Sequence, residues 1–474
     1  MKLIISFFLL LFSLDNCLSD LRLAFHVKPK PLLEGAVVED WPRFLGPYDD
    51  GTSKETKLLK GWGKEGPSLV WELERGDTYA SPTISDGKLF SFDLAEGHER
   101  LECRNPETGK LIWDYKYPVE YRDRFGYSSG PRASPVIDND MLILAGVTAQ
   151  LRGISTKTGK ESWHIDLQKE YGHKLGFFGY GPAPIIWNDL VLVNVGGVKD
   201  DNDKRVCVAA FDRNTGDEVW AYKDEWGASY SSPVIKKIRG KDVLLVFAGG
   251  ESRPATGGLL ALNPRSGELY DRFSWRADSY ESVNASVPVV IDEDKVFVSE
   301  CYGKGGVLLK FDNQFKLSVV WKERWFGMHW MTPLVIDDHL YGFSGRNKPD
   351  VQFKCSKISD GSIAWKNDMR YQFELNGRDL TLSFFRGSLL RCDKRVFALG
   401  EDGVLAELEI SPKGVKTLSQ AQLFVAEQSW ALPVIHRGLL YISQHTKGFV
   451  NDTKPRLMCF DFREAKVETG KLKN

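Results

Sequence analysis

The sequence contains few of the motifs that mark a catalytic or redox site. No two cysteines are adjacent and none belongs to a CxxC pair, so thiol-redox and zinc motifs are missing. HExxH, GxSxG and P-loop motifs are absent, as is the CxxCH motif for attached haem. The formal net charge is −1, which provides no overall field for nucleic acid or an anionic membrane. No motif therefore indicates catalysis, and nucleic acid is not an expected partner.

Long apolar runs are also missing, apart from one at the amino terminus. The segment MKLIISFFLLLFSL has Lys2 followed by an apolar run too short to span a membrane comfortably. It predicts a signal peptide over residues 1–19 and export to a periplasmic or extracellular space. Cys17 invites a lipid anchor, but the residues before it, LDN, argue against one because small or aliphatic residues are expected there.

Six cysteines remain beyond this segment, and three of them occupy a repeated position. Cys103 and Cys355 each lie six residues before a turn glycine, and Cys459 stands in an equivalent stretch. This spacing favours small buried residues in a repeated strand rather than disulfides.

A proline-centred phrase recurs along the whole chain. ASPTISDGKLF at 80–90 returns in altered form seven times, the last time as ALPVIHRGLLYIS at 431–443. The intervals are about fifty residues, which predicts eight units of one repeat. Alternating apolar residues and tight turns such as Asp86-Gly87 indicate antiparallel strands, four to a unit. The anchors are Pro82, Pro135, Pro184, Pro233, Pro288, Pro333, Leu389 and Pro433.

A second phrase ends most units with a Thr-Gly turn and a tryptophan. CRNPETGKLIW at 103–113 returns as GISTKTGKESW at 153–163 and AFDRNTGDEVW at 210–220. Glycine supplies the positive φ of the turn, and the flat indole suits the wedge between two neighbouring blades. We interpret the phrase as structural, since it recurs once per unit on an outer strand.

The eighth unit ends near Glu464 without its tryptophan strand, whereas GPSLVWELE at 66–74 has a tryptophan, Trp71, and no unit of its own. We therefore expect the amino-terminal strand to complete the last blade, which would remove exposed sheet edges. The predicted fold is an all-β, eight-bladed β-propeller of four-stranded antiparallel blades. The predicted segments are a signal peptide (1–19), an extension that packs on the propeller (20–65), the propeller (66–464) and a tail (465–474).

These phrases closely resemble the repeat of the PQQ-like, or quinoprotein-like, β-propellers. DWPRFLGPYDDGTS at 40–53 is similar to an exported bacterial subgroup with this fold. The resemblance covers about residues 40–464 and implies the fold more strongly than a function. The fold hosts quinone-dependent dehydrogenases, non-enzymatic assembly lipoproteins of the outer-membrane β-barrel machinery, and many uncharacterised exported proteins.

The resemblance implies pyrroloquinoline quinone (PQQ) with calcium as an alternative cofactor. In the dehydrogenases, the quinone lies between a tryptophan and a disulfide of adjacent cysteines, beside calcium bound by Glu, Asn and a catalytic Asp. This sequence has no adjacent cysteines, so that half of the sandwich is missing. We expect no cofactor and no metal site, with a PQQ-dependent alcohol or sugar dehydrogenase as the alternative.

The residues just before each anchor start the strand that we place innermost, at the central channel. They are rich in aromatic and cationic side chains, which suit either a channel plug or a binding site. His329 is the best single candidate for acid–base or ligand chemistry. The glycine-rich and aromatic stretch 169–182 predicts a loop at the channel mouth. The candidate ligand-binding residues are Tyr79, Arg132, Tyr180, Tyr230, Asn284, His329, Trp330, Arg386 and Trp430.

The leading hypothesis is a non-catalytic binding or scaffold protein, exported and monomeric, without a membrane span. Its partners would be envelope or extracellular proteins, or a small molecule at the channel. An enzyme would need a cofactor-sized cavity with an acidic metal site at the ring centre. A scaffold would need an exposed apolar or aromatic patch on one face.

Overall fold

A computed structural model describes residues 20–197, 205–251, 254–347, 349–375, 377–450 and 452–466. The predicted signal peptide with Cys17, and residues 467–474 of the predicted tail, lie outside the described residues. Within these ranges, no helix is of sufficient length and apolarity to cross a membrane.

Eight antiparallel four-stranded blades form the molecule, as the repeat predicts. We number them from the amino terminus and give their strands in chain order. Blade 1 consists of Thr83–Ser85, Lys88–Ala95, His98–Arg104 and Leu111–Pro118. Blade 2 consists of Val136–Asp138, Met141–Ala145, Gln150–Ser155 and Glu161–Asp166. Blade 3 consists of Ile185–Trp187, Leu190–Asn194, Val206–Asp212 and Glu218–Lys223. Blade 4 consists of Val234–Ile238, Lys241–Ala248, Gly258–Leu262 and Leu269–Ser274.

The second half of the ring repeats this arrangement. Blade 5 consists of Val289–Val290, Lys295–Glu300, Gly305–Phe311 and Leu317–Glu323. Blade 6 consists of Leu334–Ile336, His339–Ser344, Gln352–Lys357 and Ile363–Asn367. Blade 7 consists of Ser388–Cys392, Arg395–Leu399, Val404–Ser411 and Gly414–Gln422. A hairpin, Arg370–Leu375 with Arg378–Ser383, is inserted before it, and a short helix, Leu167–Tyr171, follows blade 2.

The ring closes through the amino terminus, as the unpaired Trp71 phrase predicts. Blade 8 contains Val434–His436, Leu439–Gln444 and Arg456–Asp461, and its fourth strand is Leu69–Glu74. This strand pairs antiparallel with Arg456–Asp461, and Leu23–Phe25 adds a fifth strand outside it. One blade is therefore built from both ends of the chain, which ties the ring shut.

The recurring tryptophan packs on the turn glycine of the next blade. In blade 5, Trp321 lies against Gly361 of blade 6, and a Cβ placed on Gly361 would be 2.6 Å from the indole Cε3. The same indole Nε1 donates to the Ile358 carbonyl of the next blade at 2.7 Å. The same glycine contact recurs in the pairs Trp71–Gly109, Trp113–Gly159, Trp163–Gly216 and Trp220–Gly267. The structural interpretation of the tryptophan phrase is confirmed.

The six cysteines beyond Cys17 are all free thiols in the described structure. Five are buried and Cys301 is half-buried. Cys103, Cys355 and Cys459 lie on the third strands of blades 1, 6 and 8, at one equivalent position. They are small buried residues of the repeat, as their spacing predicts.

The amino-terminal extension closes one end of the channel. The Trp41 and Ile84 backbones exchange hydrogen bonds of 2.9 and 2.8 Å, and Ile137 N–H donates to the Pro42 carbonyl at 2.9 Å. In blade 7, Arg391 N–H donates to the Gly51 carbonyl at 3.0 Å. Residues 41–51 therefore cross between the innermost strands of blades 1, 2 and 7, near the ends of those strands that lie away from the anchor prolines.

Candidate functional site

The candidate site is a cavity of about 570 Å³ on the channel axis. The residue three places before each anchor contributes to its wall in every blade, because each inner strand begins at the same height. Phe44 of the amino-terminal extension also lines it. The eight repeat positions are Tyr79, Arg132, Gly181, Tyr230, Ala285, Trp330, Arg386 and Trp430.

The structure brings together seven of the nine candidate residues. His329, one position earlier than the others, also lines the cavity. Tyr180 and Asn284, at that same earlier position, do not. The Tyr180 hydroxyl donates to the Asn194 carbonyl at 3.0 Å, and the Asn284 amide donates to the Ala248 carbonyl at 2.8 Å. Both side chains are fully buried and donate to the last residues of strands Leu190–Asn194 and Lys241–Ala248 rather than facing the cavity.

Three aromatic rings form a continuous wall on one side. Tyr79 stacks on Trp430 with ring centroids 4.7 Å apart, and Trp430 contacts Trp330 at 4.5 Å. The Arg386 guanidinium lies over both indoles, 4.7 Å from the Trp330 ring and 5.1 Å from the Trp430 ring. These contacts fix the orientation of the rings, so little side-chain entropy remains to be lost on binding.

Two of the cavity arginines have carboxylate partners. Arg386 forms a two-pronged ion pair with Glu401, with nitrogen–oxygen distances of 2.8 and 2.7 Å. Arg132 contacts Asp123 at 3.1 Å and lies 5.6 Å from the Tyr79 ring centre. Each of these charges is balanced locally, because a buried or half-buried guanidinium is stabilised by an acid within hydrogen-bond distance.

His329 is held in its neutral form. Burial lowers the pKa of His329 well below its ordinary value, and the nearby charges of Arg386 and Arg346 lower it further. Its Nε2 is 3.1 Å from the Tyr302 hydroxyl, whose pKa is raised by burial. Both the phenol and the neutral imidazole can donate in this contact, and the tautomer of the ring decides which of them does.

The cavity mouth is lined by aromatic side chains that the repeat does not encode. Phe178 contacts Tyr127 at 5.5 Å and Tyr230 at 5.7 Å between ring centroids. Phe177 contacts Phe125 at 5.4 Å. Phe177 and Phe178 lie in the stretch 169–182 that predicts a mouth loop, whereas Phe125 and Tyr127 lie in an inter-blade connection with no repeat signal. Tyr302 and Arg346, also without such a signal, line the cavity beside His329.

The side chains do not fit a calcium-bound quinone. Among the described residues, no group of three or more His, Cys, Asp or Glu side chains could hold a metal ion. Glu281 is the one carboxylate residue on the described cavity lining, and the nearby Asp123 and Glu401 are paired with arginines. Calcium needs six to eight oxygen ligands, several of them carboxylates, and this donor set does not provide them.

Comparison with solved structures supports the fold. The chain resembles a europium-containing methanol dehydrogenase with a TM-score of 0.61 and 12% identity, over 89% of this chain and 98% of the other. It resembles the quinohemoprotein alcohol dehydrogenase of Comamonas testosteroni with a TM-score of 0.60 and 14% identity, over 91% and 82%. It resembles BamB of Moraxella catarrhalis with a TM-score of 0.53 and 13% identity, over 84% of this chain and 100% of the other. At these identities the likeness establishes the fold alone.

Sequence comparison adds the family. BamB of Xanthomonas campestris pv. campestris is 26% identical over 89 residues, which are 19% of this chain. The match spans about a fifth (21%) of the length of that relative. Residues 97–367, more than half of the chain, match the family model described as outer membrane protein assembly factor BamB. The protein is therefore a member of this family of PQQ-like propellers.

Proposed function

We propose that this protein is a non-catalytic binding protein of the cell envelope, and that its binding site is the aromatic cavity at the open mouth of the channel. The observation that carries the proposal is the convergence of eight repeat positions on one cavity. Cavities of several hundred Å³ with apolar walls and a few polar groups are typical of ligand sites.

The chemistry of His329 supports binding over catalysis. A general base works best when its pKa lies near the ambient pH, whereas burial and two arginines hold the pKa of His329 far below that range. Glu281 is the carboxylate residue on the described cavity lining, and Asp123 and Glu401 are the acids that pair with the cavity arginines. Neither Asp123 nor Glu401 is available to accept a proton or to coordinate a cation without breaking an ion pair.

The envelope setting rests on the family. The family description and the curated relative both name an outer membrane protein assembly factor, and the amino-terminal sequence predicts export. We extend this setting to the present chain together with envelope proteins or a small molecule as partners. A PQQ-dependent dehydrogenase is the alternative, and it is supported by the fold of the dehydrogenase neighbours but not by the donor set of the cavity.

Photo-crosslinking in envelope extracts tests the proposed site. Tyr127, at the mouth, is replaced by a photoreactive phenylalanine, and Val219, which is exposed on the outer strand of blade 3, is replaced in a matched control. We expect a reproducible adduct from position 127 and none from position 219. Equal labelling at both positions, or none at position 127, would refute a site at the mouth.

Reconstitution tests the absence of catalysis. The purified protein is incubated with PQQ and calcium, and oxidation of alcohols and aldoses is followed with an artificial electron acceptor. We expect no turnover above that of the heat-denatured protein. Calcium-dependent turnover that is lost in Trp330→Ala would overturn the proposal and establish the dehydrogenase alternative.

A further inference from the structure

The cavity has two chemically different ends. One end is aromatic and lies at the mouth, where the Phe178 ring contacts both the Phe125 ring and the Tyr230 ring. The other end is cationic. Arg346 lies 4.5 Å from the ring centre of Tyr302, whose hydroxyl contacts His329, and Arg386 lies 4.7 Å from the ring of Trp330, which also contacts His329. The wall of Trp330 and Trp430 connects the two ends, because Trp330 contacts His329 at 4.3 Å and Trp430 contacts Tyr127 at 5.6 Å.

Arg346 differs from the other two arginines of the cavity. Its guanidinium lies 4.5 Å from the Tyr302 ring centre, a position that fixes the side chain without neutralising its charge. In the described part of the chain, no carboxylate lies within 4.0 Å of it, whereas Arg132 and Arg386 both have one. Arg346 is thus a half-buried cation on the cavity wall with its hydrogen-bond donors unused by an acid.

Buried N–H groups without a partner lie along the Trp330–Trp430 wall, under the Arg386 guanidinium. The indole N–H groups of Trp330 and Trp430 are buried and have no hydrogen-bond acceptor among the described residues, and His329 Nδ1 likewise has no partner there. Because these nitrogens are closed off from solvent, they influence a ligand through the electrostatic potential rather than through direct hydrogen bonds. Unpaired N–H dipoles next to two guanidinium groups stabilise negative charge in a site shielded from water.

We propose that the ligand of this cavity is a small amphiphilic organic anion. Its oxyanion group binds Arg346 beside His329, and its apolar body packs on the Trp330–Trp430 wall and the aromatic mouth. Arg346 is the specificity residue, since it is the cation whose charge the protein leaves unbalanced. The inference rests on the proposed binding function and adds the chemical class of the ligand. Carboxylate, sulfonate and phosphate groups share the chemistry that a guanidinium recognises.

The size of the cavity favours a small molecule over a folded partner. About 570 Å³ lies within the range of sites that enclose small ligands, and Phe44 contributes to the lining from the plugged side. A protein segment that runs through the channel would need both ends open, whereas the extension at residues 41–51 closes one.

A matched set of probes tests the proposal by isothermal titration calorimetry, with quenching of tryptophan fluorescence as a second readout. The probes are 2-naphthoate, 2-naphthalenesulfonate, 2-naphthyl phosphate, neutral 2-naphthylmethanol and cationic 2-naphthylmethylammonium. They share one aromatic body and differ in the head group. We expect at least one of the anions to bind 10-fold or more tighter than the alcohol, and the ammonium compound not to bind. The strongest anion identifies the oxyanion. Its affinity should fall with added salt because part of the attraction is electrostatic.

Arg346→Gln should remove this selectivity, with the anion losing at least 10-fold in affinity and the alcohol changing less than 2-fold. Arg346→Lys should restore part of the loss because the charge returns without the planar fork. Arg324→Gln is the control. Arg324 also lies over an aromatic ring, 5.3 Å from the ring centre of Trp325, but it is not part of the cavity lining. This variant should bind the probes like the unmodified protein.

The outcomes separate this inference from the proposed function. Equal binding of anion and alcohol, unaffected by Arg346→Gln, would overturn the anionic ligand and leave a binding cavity in place. Binding of none of the probes would overturn the amphiphilic anion. If the crosslink at position 127 were then also missing, the proposed function itself would fail.

Discussion

The contact between each tryptophan and the next blade's turn glycine allows a quantitative prediction for Gly361→Ala. Gly361 has φ +76°, and an added Cβ would lie 2.6 Å from Cε3 and 2.7 Å from Cδ2 of Trp321. The left-handed conformation costs alanine about 1–2 kcal/mol. The overlap with a rigid, 8% exposed indole adds about 1–3 kcal/mol. We therefore expect the free energy of unfolding to fall by about 2–5 kcal/mol.

Gly87→Ala separates the two contributions. Gly87 has φ +65°, but a Cβ there would meet no heavy atom within 4 Å, so only the conformational cost of about 1–2 kcal/mol remains. Equilibrium unfolding in urea, followed by tryptophan fluorescence and far-ultraviolet circular dichroism, measures both variants. Coincident transitions from the two probes justify two-state analysis.

A double-mutant cycle then assigns the additional cost to the indole. In a Trp321→Leu background, Gly361→Ala should cost about as much as Gly87→Ala, because the rigid ring is gone. If Gly361→Ala and Gly87→Ala destabilised the unmodified protein equally, the blade-to-blade contact would contribute nothing at this position, and the structural interpretation of the repeated phrase would be wrong.

Two further predictions concern ring closure and pH. Trp71→Ala should lower the free energy of unfolding by about 3–5 kcal/mol, because Trp71 is fully buried and donates to the Pro106 carbonyl at 3.0 Å. Trp325→Ala is the control, because Trp325 is 68% exposed. It should change the free energy of unfolding, measured in urea, by less than about 0.5 kcal/mol. Burial lowers the pKa of His445 to about 3, so between about pH 6.5 and 3 the unfolded chain binds a proton that the native state does not. Stability should therefore fall with decreasing pH by about 1.4 kcal/mol per pH unit for this group. Between pH 6.5 and 4.5, His445→Gln should reduce the loss of free energy of unfolding by about 2–3 kcal/mol. The free energy of unfolding is measured in urea at each pH, and an unchanged dependence on pH in the variant would contradict the assignment.

The same residues that form the repeat also create the cavity, which bears on how this fold acquires function. The residue three places before each anchor precedes the innermost strand of its blade, and it lines the axial cavity in all eight blades. In this chain that residue is aromatic or cationic in six of the eight blades. A binding site can thus be built at the axis without disturbing the Trp–Gly contacts that hold the blades together.

The sequence by itself determined the blade count, the ring closure and the eight axial positions, because each depends on a local phrase repeated at a regular interval. Trp71 without a unit of its own was sufficient to predict that the amino terminus completes blade 8. The buried cysteines followed from the same register. Periodicity predicts these features because each blade packs in the same way on its neighbour.

Only the tertiary structure decided which neighbouring residues face the cavity. His329, Tyr180 and Asn284 occupy one repeat position, yet only His329 lines the cavity, since the hydrogen bonds of the other two side chains are made to carbonyls in their own surroundings. Phe125, Tyr302 and Arg346 come from connections of irregular length, and residues 41–51 close the channel from outside the repeat. Their positions depend on long-range packing that no local pattern encodes.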